Sequence, residues 1–394
     1  MITEVDVPRA LAPPENSFFL FGPRGVGKST WLKQRLSFDL AIDLLKSEQY
    51  LQLQQAPSRL RELATALPKR SWVCIDEVQK IPELLDEVHY LIEAYKLRFA
   101  LSGSSARKLK RGGANLLAGR AITRYLDAFS YAELRERYEL VDRLEWGCLP
   151  LVVNRPTLAR DILRTYVATY IKEEIQEEGH VRKIAPFARF LEVAALLHGQ
   201  QVNGASVARQ ASVPRASIDN YFSILTDTLL GHWLPSYRPH AKVQEQGHPK
   251  YYWFDIGVAR AAAGRLDEPA DSEWLGIALE SLVFQELRAY FHTHQVERPI
   301  AYYRTQAGME VDFVIETRKA TLSRRPTVVL IEVKNAHKWD SRWSKPMVEL
   351  SASRKVIVER MIGVYRGMEI LRQGDVDIFP VETFFQRLHS GDLV

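Results

Sequence analysis

The sequence predicts an α/β protein in three consecutive parts: a parallel-sheet unit, a mostly helical middle, and a second sheet-bearing unit. Three observations carry this. From Ser17 to about Leu134, short apolar runs (SFFLFG, SWVCIDE, RFALSGSS) alternate with helical segments, the pattern of strands joined by covering helices. From about Asp161 to Tyr237 the text is mostly helical, and from Lys250 strand-like runs return. The chain has 394 residues, 46% of them hydrophobic, which exceeds one ordinary domain. We place the divisions at 1–160, 161–245 and 246–394, with YRPHAKVQEQGHPK as a linker.

Bulk chemistry narrows the setting. Lys and Arg number 53 against 48 Asp and Glu, a net charge of +5 that permits phosphate contacts without demanding them. Cys74 and Cys148 are the only cysteines; without CxxC spacing they suggest neither a disulfide framework nor a zinc site, and a reduced cytoplasmic protein is expected. The first residues carry acids and prolines, and no apolar run approaches the length of a membrane span. Neither a signal peptide nor a membrane partner is expected.

The front unit opens on FLFGPRGVGKST. Gly22, Gly27, Lys28 and Ser29 fit G-x-x-x-x-G-K-S between an apolar strand and a helix, with Pro23, Arg24, Gly25, Val26 and Thr30 completing the loop. Such a loop turns backbone N–H groups toward phosphate oxygens, and the helix N-terminus adds positive potential. Lys28 would reach the β- and γ-phosphates of ATP, and the Ser29 hydroxyl would ligate Mg2+. The next apolar strand, Trp72 to Ile75, ends in Asp76 and Glu77, 48 and 49 residues after Lys28. Asp76 suits the Mg2+ shell, and Glu77 the orientation or deprotonation of an attacking water. A third strand ends at Ser102, Ser104 and Ser105, where Ser104 could sense the γ-phosphate. Arg120 is the candidate to answer developing phosphate charge, in its own subunit or a neighbour's, with Arg107 and Arg124 as rivals. A neighbour's arginine would require a homo-oligomer.

These residues carry a family resemblance. GPRGVGKST, CIDEVQKIPELL, LSGSSARKL and LAGRAITRYLDAFSYAEL resemble the AAA-type P-loop ATPase module of a large prokaryotic family, joined there to a C-terminal domain of unknown function, DUF4143. The resemblance implies an ATP-binding protein.

In the middle, a helix over Phe190–His198, the stretch NGASVARQ, a turn at Ser212–Pro214 and RASIDNYFSILTDT resemble a winged helix-turn-helix. Arg215, Ser217 and Asn220 would face outward. DNA contact and a mechanical or packing role are both open to such a module.

In the back unit, acids interrupt apolar strands. Glu332 and Lys334 in TVVLIEVK alternate onto one face of a strand, and Asp312 in GMEVDFVIE stands 20 residues earlier. Glu280, 32 residues before Asp312, lies in the helical text WLGIALESLVFQEL. Burying such charges costs several kcal/mol each unless they are paired or bound. Helix-Glu, strand-Asp and Glu-x-Lys on the next strand is the order of PD-(D/E)XK nucleases, although Val311 stands where many of those have proline. Glu280, Asp312 and Glu332 form an oxygen-rich set suited to Mg2+, and Lys334 could hold a water or stabilise charge at phosphorus. Gln285, Arg304 and Glu310 read as supporting groups, with Gln285 turned well away from Glu280 on the helix. The texts KYYWFDIGVARAAAG, LGIALESLVFQEL, YYRTQAGMEVDFVIE and LIEVKNAHKW resemble the DUF4143 domain, which implies a restriction-endonuclease-like α/β core. The joint expectation is an ATPase with a Mg2+-dependent nuclease-like domain acting on nucleic acid, DNA before RNA. The alternative is an ATP-driven regulatory or scaffold protein that binds without cutting.

Overall fold

The computed structural model describes residues 7–105, 116–171, 184–238, 247–305 and 308–394. Arg107 and most of the expected linker fall outside them.

The front unit is a five-stranded sheet. Strands β1 (Phe18–Phe21), β2 (Leu40–Asp43), β3 (Trp72–Asp76), β4 (Arg98–Gly103) and β5 (Ile122–Tyr125) lie in the order β2-β3-β4-β1-β5, and every neighbouring pair is parallel. Parallel pairs need long crossovers, supplied by helices such as Lys28–Arg35 and Leu84–Tyr95. Both sheet faces are buried: Phe18 and Leu20 enter one core, Phe19 and Phe21 the other. The interposed β4 brings the ends of β1, β3 and β4 to one edge, where open parallel sheets place their ligands.

The middle packs helices Ile184–Leu196, Gly204–Ala211 and Arg215–Asp227 around Phe187, Phe190 and Phe222. Asn203 caps the second helix by accepting from the Ala205 and Ser206 amides, and Ser212 ends it at φ 51°. The turn expected at Ser212–Pro214 is therefore present. Strands β6 (Gly231–Leu234) and β7 (Lys250–Trp253) follow as an antiparallel ribbon. Arg215 and Asn220 are exposed, whereas Ser217, expected to face outward, is half-buried.

The back unit is a six-stranded mixed sheet in the order β12-β13-β11-β10-β9-β8. Its strands are β8 (Ile300–Arg304), β9 (Glu310–Arg318), β10 (Thr327–Lys334), β11 (Ile357–Tyr365), β12 (Leu371–Gln373) and β13 (Val376–Pro380). β8, β9 and β10 are successively antiparallel; helix Lys345–Ala352 then carries the chain to β11, parallel to β10. Val329, Ile331 and Val333 pack in the core beneath helix Ser272–His294, while Val328 and Leu330 enter a separate core on the opposite face. That first core is continuous with the front sheet and the middle helices.

One buried acid ties the start of the back unit to the end of the front. Asp255 caps helix Ile256–Ala262, accepting from the Val258 amide at 3.0 Å, and its other oxygen accepts from the Cys148 amide at 2.7 Å. Gly147 must lack a side chain there: a Cβ would lie 2.3 Å from an Asp255 oxygen. Asp255→Ala removes a cap and leaves a buried N–H unpaired, a loss of about 2–4 kcal/mol. The thermal midpoint should fall by several degrees, measured by scanning calorimetry, with Asp255→Asn retaining part of the difference.

Candidate functional site

Two constellations stand out, one at the edge of each sheet. At the first, the chain leaves β1 into a loop that packing forces into shape. A Cβ on Gly22 would lie 2.3 Å from the Leu126 carbonyl, and Gly25 and Gly27 adopt φ of 83° and 91°. Gly22, Pro23 and Val26 are buried, Arg24, Gly25, Gly27 and Ser29 half-buried, and Thr30 exposed. The loop is clamped from behind: Arg9 Nη1 donates to the Val26 carbonyl at 2.9 Å, and the Tyr166 hydroxyl donates to the Arg24 carbonyl at 2.8 Å. The buried Lys28 ammonium donates to the carbonyls of Gly22 at 2.8 Å and Pro23 at 3.2 Å. Those are weak acceptors for a cation, and a phosphate oxygen would replace them favourably.

Asp76, buried at the end of β3, accepts from the Ser102 hydroxyl, and Ser102 Oγ accepts from the Glu77 amide at 3.2 Å. Glu77 sits at φ 61°, ψ 43°, a left-handed conformation that a non-glycine residue holds only where its surroundings impose it. That turn brings Gln79 back over the strand ends. Its amide nitrogen donates to Glu77 Oε2 and, at 3.1 Å, to Ser104 Oγ. Gln79 thus links the candidate base to the candidate sensor, a role the sequence reading did not give it. Its oxygen is buried without a partner. Arg120, half-exposed, pairs with Glu93 on its own chain. Arg124 lies on edge strand β5.

At the second site, β9 and β10 part company after the Phe313–Ile331 pair. Asp312 takes over there, its Oδ2 accepting from the Val333 amide at 2.8 Å. Lys334 Nζ lies 3.6 Å from Asp312 Oδ2 and pairs with Glu332 Oε1. Asp312, Glu332 and Lys334 therefore come together as expected. Glu280 joins the same electrostatic neighbourhood through different partners: its Oε1 accepts from Lys250 Nζ at 2.7 Å and from the Tyr252 hydroxyl. Lys250 also reaches Glu310 at 2.6 Å, and Arg304 Nη1 lies 3.3 Å from the other Glu310 oxygen. Gln285 contacts Ser281 on its own helix instead.

The titration of these groups follows from the crowding. Burial and the neighbouring Asp312 carboxylate push Glu332 well above the ordinary carboxylate range, against the pull of Lys334. Glu280 is raised by burial and, despite Lys250, by Asp312. Burial works against a charge on Lys250 and Lys334, but the surrounding carboxylates hold both ammonium groups above their usual value. Four carboxylates face Lys250, Lys334 and Arg304, and among the described residues Glu332 Oε2 is buried with no hydrogen-bond partner.

That unsatisfied oxygen, close to the Asp312 carboxylate, fits a divalent cation held by Asp312 and Glu332. The three-carboxylate set expected for Mg2+ is not assembled: among the described residues no group of three His, Cys, Asp or Glu side chains could hold a metal ion. The reason for Glu280 is geometric. Its helix covers the face on which Ile331 and Val333 pack, and Lys250 and Tyr252 of β7 occupy its oxygen. Mg2+ commonly uses only one or two carboxylates and keeps several waters, so the pair remains a suitable donor set. Lys250 and Tyr252 went unanticipated in the sequence.

The outward face of helix Arg215–Asp227 is not cationic. Arg215 pairs with Asp219 one turn on at 2.8 Å, and Asp219 and Asp227 line the same cavity of about 620 Å3.

Among the described residues, no helix is long and apolar enough to cross a membrane. Comparison with known proteins gives matches of three kinds. Family models match an AAA domain over residues 14–135, a domain of unknown function, DUF8612, over 137–269, and the DUF4143 domain over 275–384. The uncharacterized proteins Mb2031c of Mycobacterium bovis and Rv2008c of Mycobacterium tuberculosis are each 26% identical over 294 residues, 73% of this chain. The chain spans 64% of the length of those relatives. Among solved structures, the Aeropyrum pernix Orc1 protein in complex with DNA aligns with a TM-score of 0.26 and 12% identity, covering 63% of this chain and 86% of that one. Can2 from Sulfobacillus thermosulfidooxidans with cyclic tetra-adenylate aligns at 0.22 and 11%, covering 96% and 100%. At such TM-scores the whole chains superpose poorly. The family matches make this chain a fusion of an AAA-type ATPase domain to a C-terminal DUF4143 domain, with a DUF8612 segment between them.

Proposed function

We propose that the protein binds and hydrolyses ATP in the front domain and uses the C-terminal site to cleave nucleic acid, DNA in the first instance, with Mg2+. The observation that carries the ATPase half is the convergence of Lys28, Asp76, Glu77, Gln79 and Ser104 on one edge of the parallel sheet. Lys28 would leave the Gly22 and Pro23 carbonyls for phosphate oxygens, with Ser29 and Asp76 on the metal side of the nucleotide. Glu77 would take the proton of the attacking water, aligned by the Gln79 amide. Arg120, engaged by Glu93, would serve a neighbouring subunit in a homo-oligomer.

In the back domain, which this reading takes as PD-(D/E)XK-like, Asp312 and Glu332 would hold the cation and Lys334 the attacking water or the phosphoryl oxygen. Glu280, kept in place by Lys250, would act on the outer waters. The metal supplies charge neutralisation and a more acidic water. The unsatisfied Glu332 oxygen beside Asp312 supports this half of the reading. A non-cleaving, ATP-driven binder is the second reading, favoured by the two lysines that already occupy carboxylate oxygens and by the two-carboxylate donor set.

Lys28→Ala should abolish ATP binding in calorimetric titration, while Glu77→Gln should bind normally and hydrolyse about 100-fold more slowly. Gln79→Ala should lower kcat by about tenfold with KM for ATP unchanged; an unaltered kcat would remove its aligning role. Asp312→Ala and Lys334→Ala should eliminate Mg2+-dependent cleavage of a DNA panel, and a parent protein that cuts nothing in any nucleotide state leaves the binder. Glu332→Gln should also lose cleavage yet raise the thermal midpoint by a few degrees. Its folded-state pKa is raised, so the Glu332 contribution is present at low pH and lost as pH rises through that value. The advantage of the variant should accordingly grow with pH.

A further inference from the structure

A second charged concavity lies away from both sites, where edge strand β5 faces the C-terminal half of helix Ser272–His294 and the loop that follows it. Its volume is about 550 Å3. Arg124, Arg288, Arg298 and Lys319 line it together with the rings of Tyr125 and Trp233. Among the described residues none of these four cations forms an ion pair with a carboxylate. The nearby Asp127 is already engaged, with His292 Nδ1 2.6 Å from its Oδ2. Glu297 on the rim is the one acid among the lining residues.

The arginines carry a cost in this state. Arg124 donates to the neighbouring Thr123 carbonyl at 3.0 Å, and Arg288 lies over the Phe284 ring at 5.7 Å; neither contact neutralises a guanidinium. Burial lowers the pKa of both, in Arg288 against the opposing pull of Asp127. Beside them the Tyr125 ring stacks on His292 at a centroid distance of 4.8 Å, with Tyr125 partly exposed. Converging guanidinium groups favour bidentate phosphate contacts, and an exposed aromatic face favours a base. The volume is that of an ordinary small-ligand site.

We infer that this cleft is a second nucleotide site, distinct from the phosphate loop, which takes a 5′-phosphorylated dinucleotide, free or as the end of a single strand. Phosphates sit on Arg124, Arg288 and Arg298, and a base stacks on Tyr125. The location matters because β5 pairs with β1, which leads into the phosphate loop, and the facing helix carries Glu280 two turns before Arg288. An occupant would bridge the ATPase sheet and the helix of the C-terminal site.

The test uses full-length Lys28→Ala protein, so that the phosphate loop does not contribute, titrated calorimetrically with pApA and with a 5′-phosphorylated single-stranded dodecanucleotide. Both or either should bind, and Arg124→Ala/Arg298→Ala should weaken binding by about tenfold or more. Tyr125→Ala should weaken it by about fivefold, as loss of one stacked base predicts. Equal affinity for the two probes assigns the end of a strand, and preference for pApA assigns a free dinucleotide. The proposal fails if neither probe binds, or if the double variant, at an unchanged thermal midpoint, binds like its parent.

Discussion

Buried charge has to be matched, and helix Ser272–His294 carries several buried or half-buried charged groups. Glu280 faces Lys250 and Tyr252 from the ribbon strand β7. Glu286, buried, accepts from the Tyr131 amide at 2.8 Å and lies 2.7 Å from His389 Nε2 on helix Val381–His389. His292 meets Asp127, next to the front sheet. An ion left without its partner in such surroundings costs several kcal/mol, whereas apolar contacts tolerate sliding. The continuous apolar core makes the three parts cohere, and these directional bonds fix how they sit. A shift of the helix along its axis would break several of them together.

The two candidate sites are opposite in sign, and that difference explains their local structure. At the phosphate loop, the Lys28 ammonium donates to the Gly22 and Pro23 carbonyls within a turn shaped by glycines. Such a loop suits an anion. At the end of β9 and β10, Asp312 and Glu332 share one lysine, and among the described residues one Glu332 oxygen has no partner. Such a pair suits a cation. Both are built at strand ends, where the ladder stops and side chains take over backbone hydrogen bonds, as Asp312 does for Val333 and Ser102 does for Glu77.

What could be read from the sequence follows from how local each signal is. The loop from Gly22 to Ser29 announces itself because every residue acts within one turn, and Asp76 and Glu77 because an apolar strand stops at acids. Asp312, Glu332 and Lys334 were legible because charge breaks an apolar run. Partners chosen by tertiary packing were not. Lys250 reads as a polar residue ahead of an aromatic strand, and only the ribbon fold brings it to Glu280, 30 residues on. Gln79 looks like an ordinary surface residue until the left-handed turn at Glu77 folds it back. Arg120 is another case: its motif context suggests phosphate, and the fold also brings it to Glu93 of the covering helix Leu84–Tyr95. For Glu280, spacing along the chain gave its proximity to Asp312 but not its orientation, because strand alternation and helix docking are decided separately.

The lysines at the back site bear most directly on whether it is machinery or relic. A cluster retained for packing alone gains by balancing its charges, since a buried surplus carboxylate weakens the fold at neutral pH. Here the balance is not struck: Lys334 serves both Asp312 and Glu332, Lys250 serves both Glu280 and Glu310, and Arg304 reaches only the outer oxygen of Glu310. The strain falls on Glu332, the carboxylate least able to relax, because it lies within a fully paired stretch of β10 beside β11. On the proposed reading, that one unmatched oxygen beside Asp312 would take a cation, and Lys334, shared between both carboxylates, would hold them in position for it.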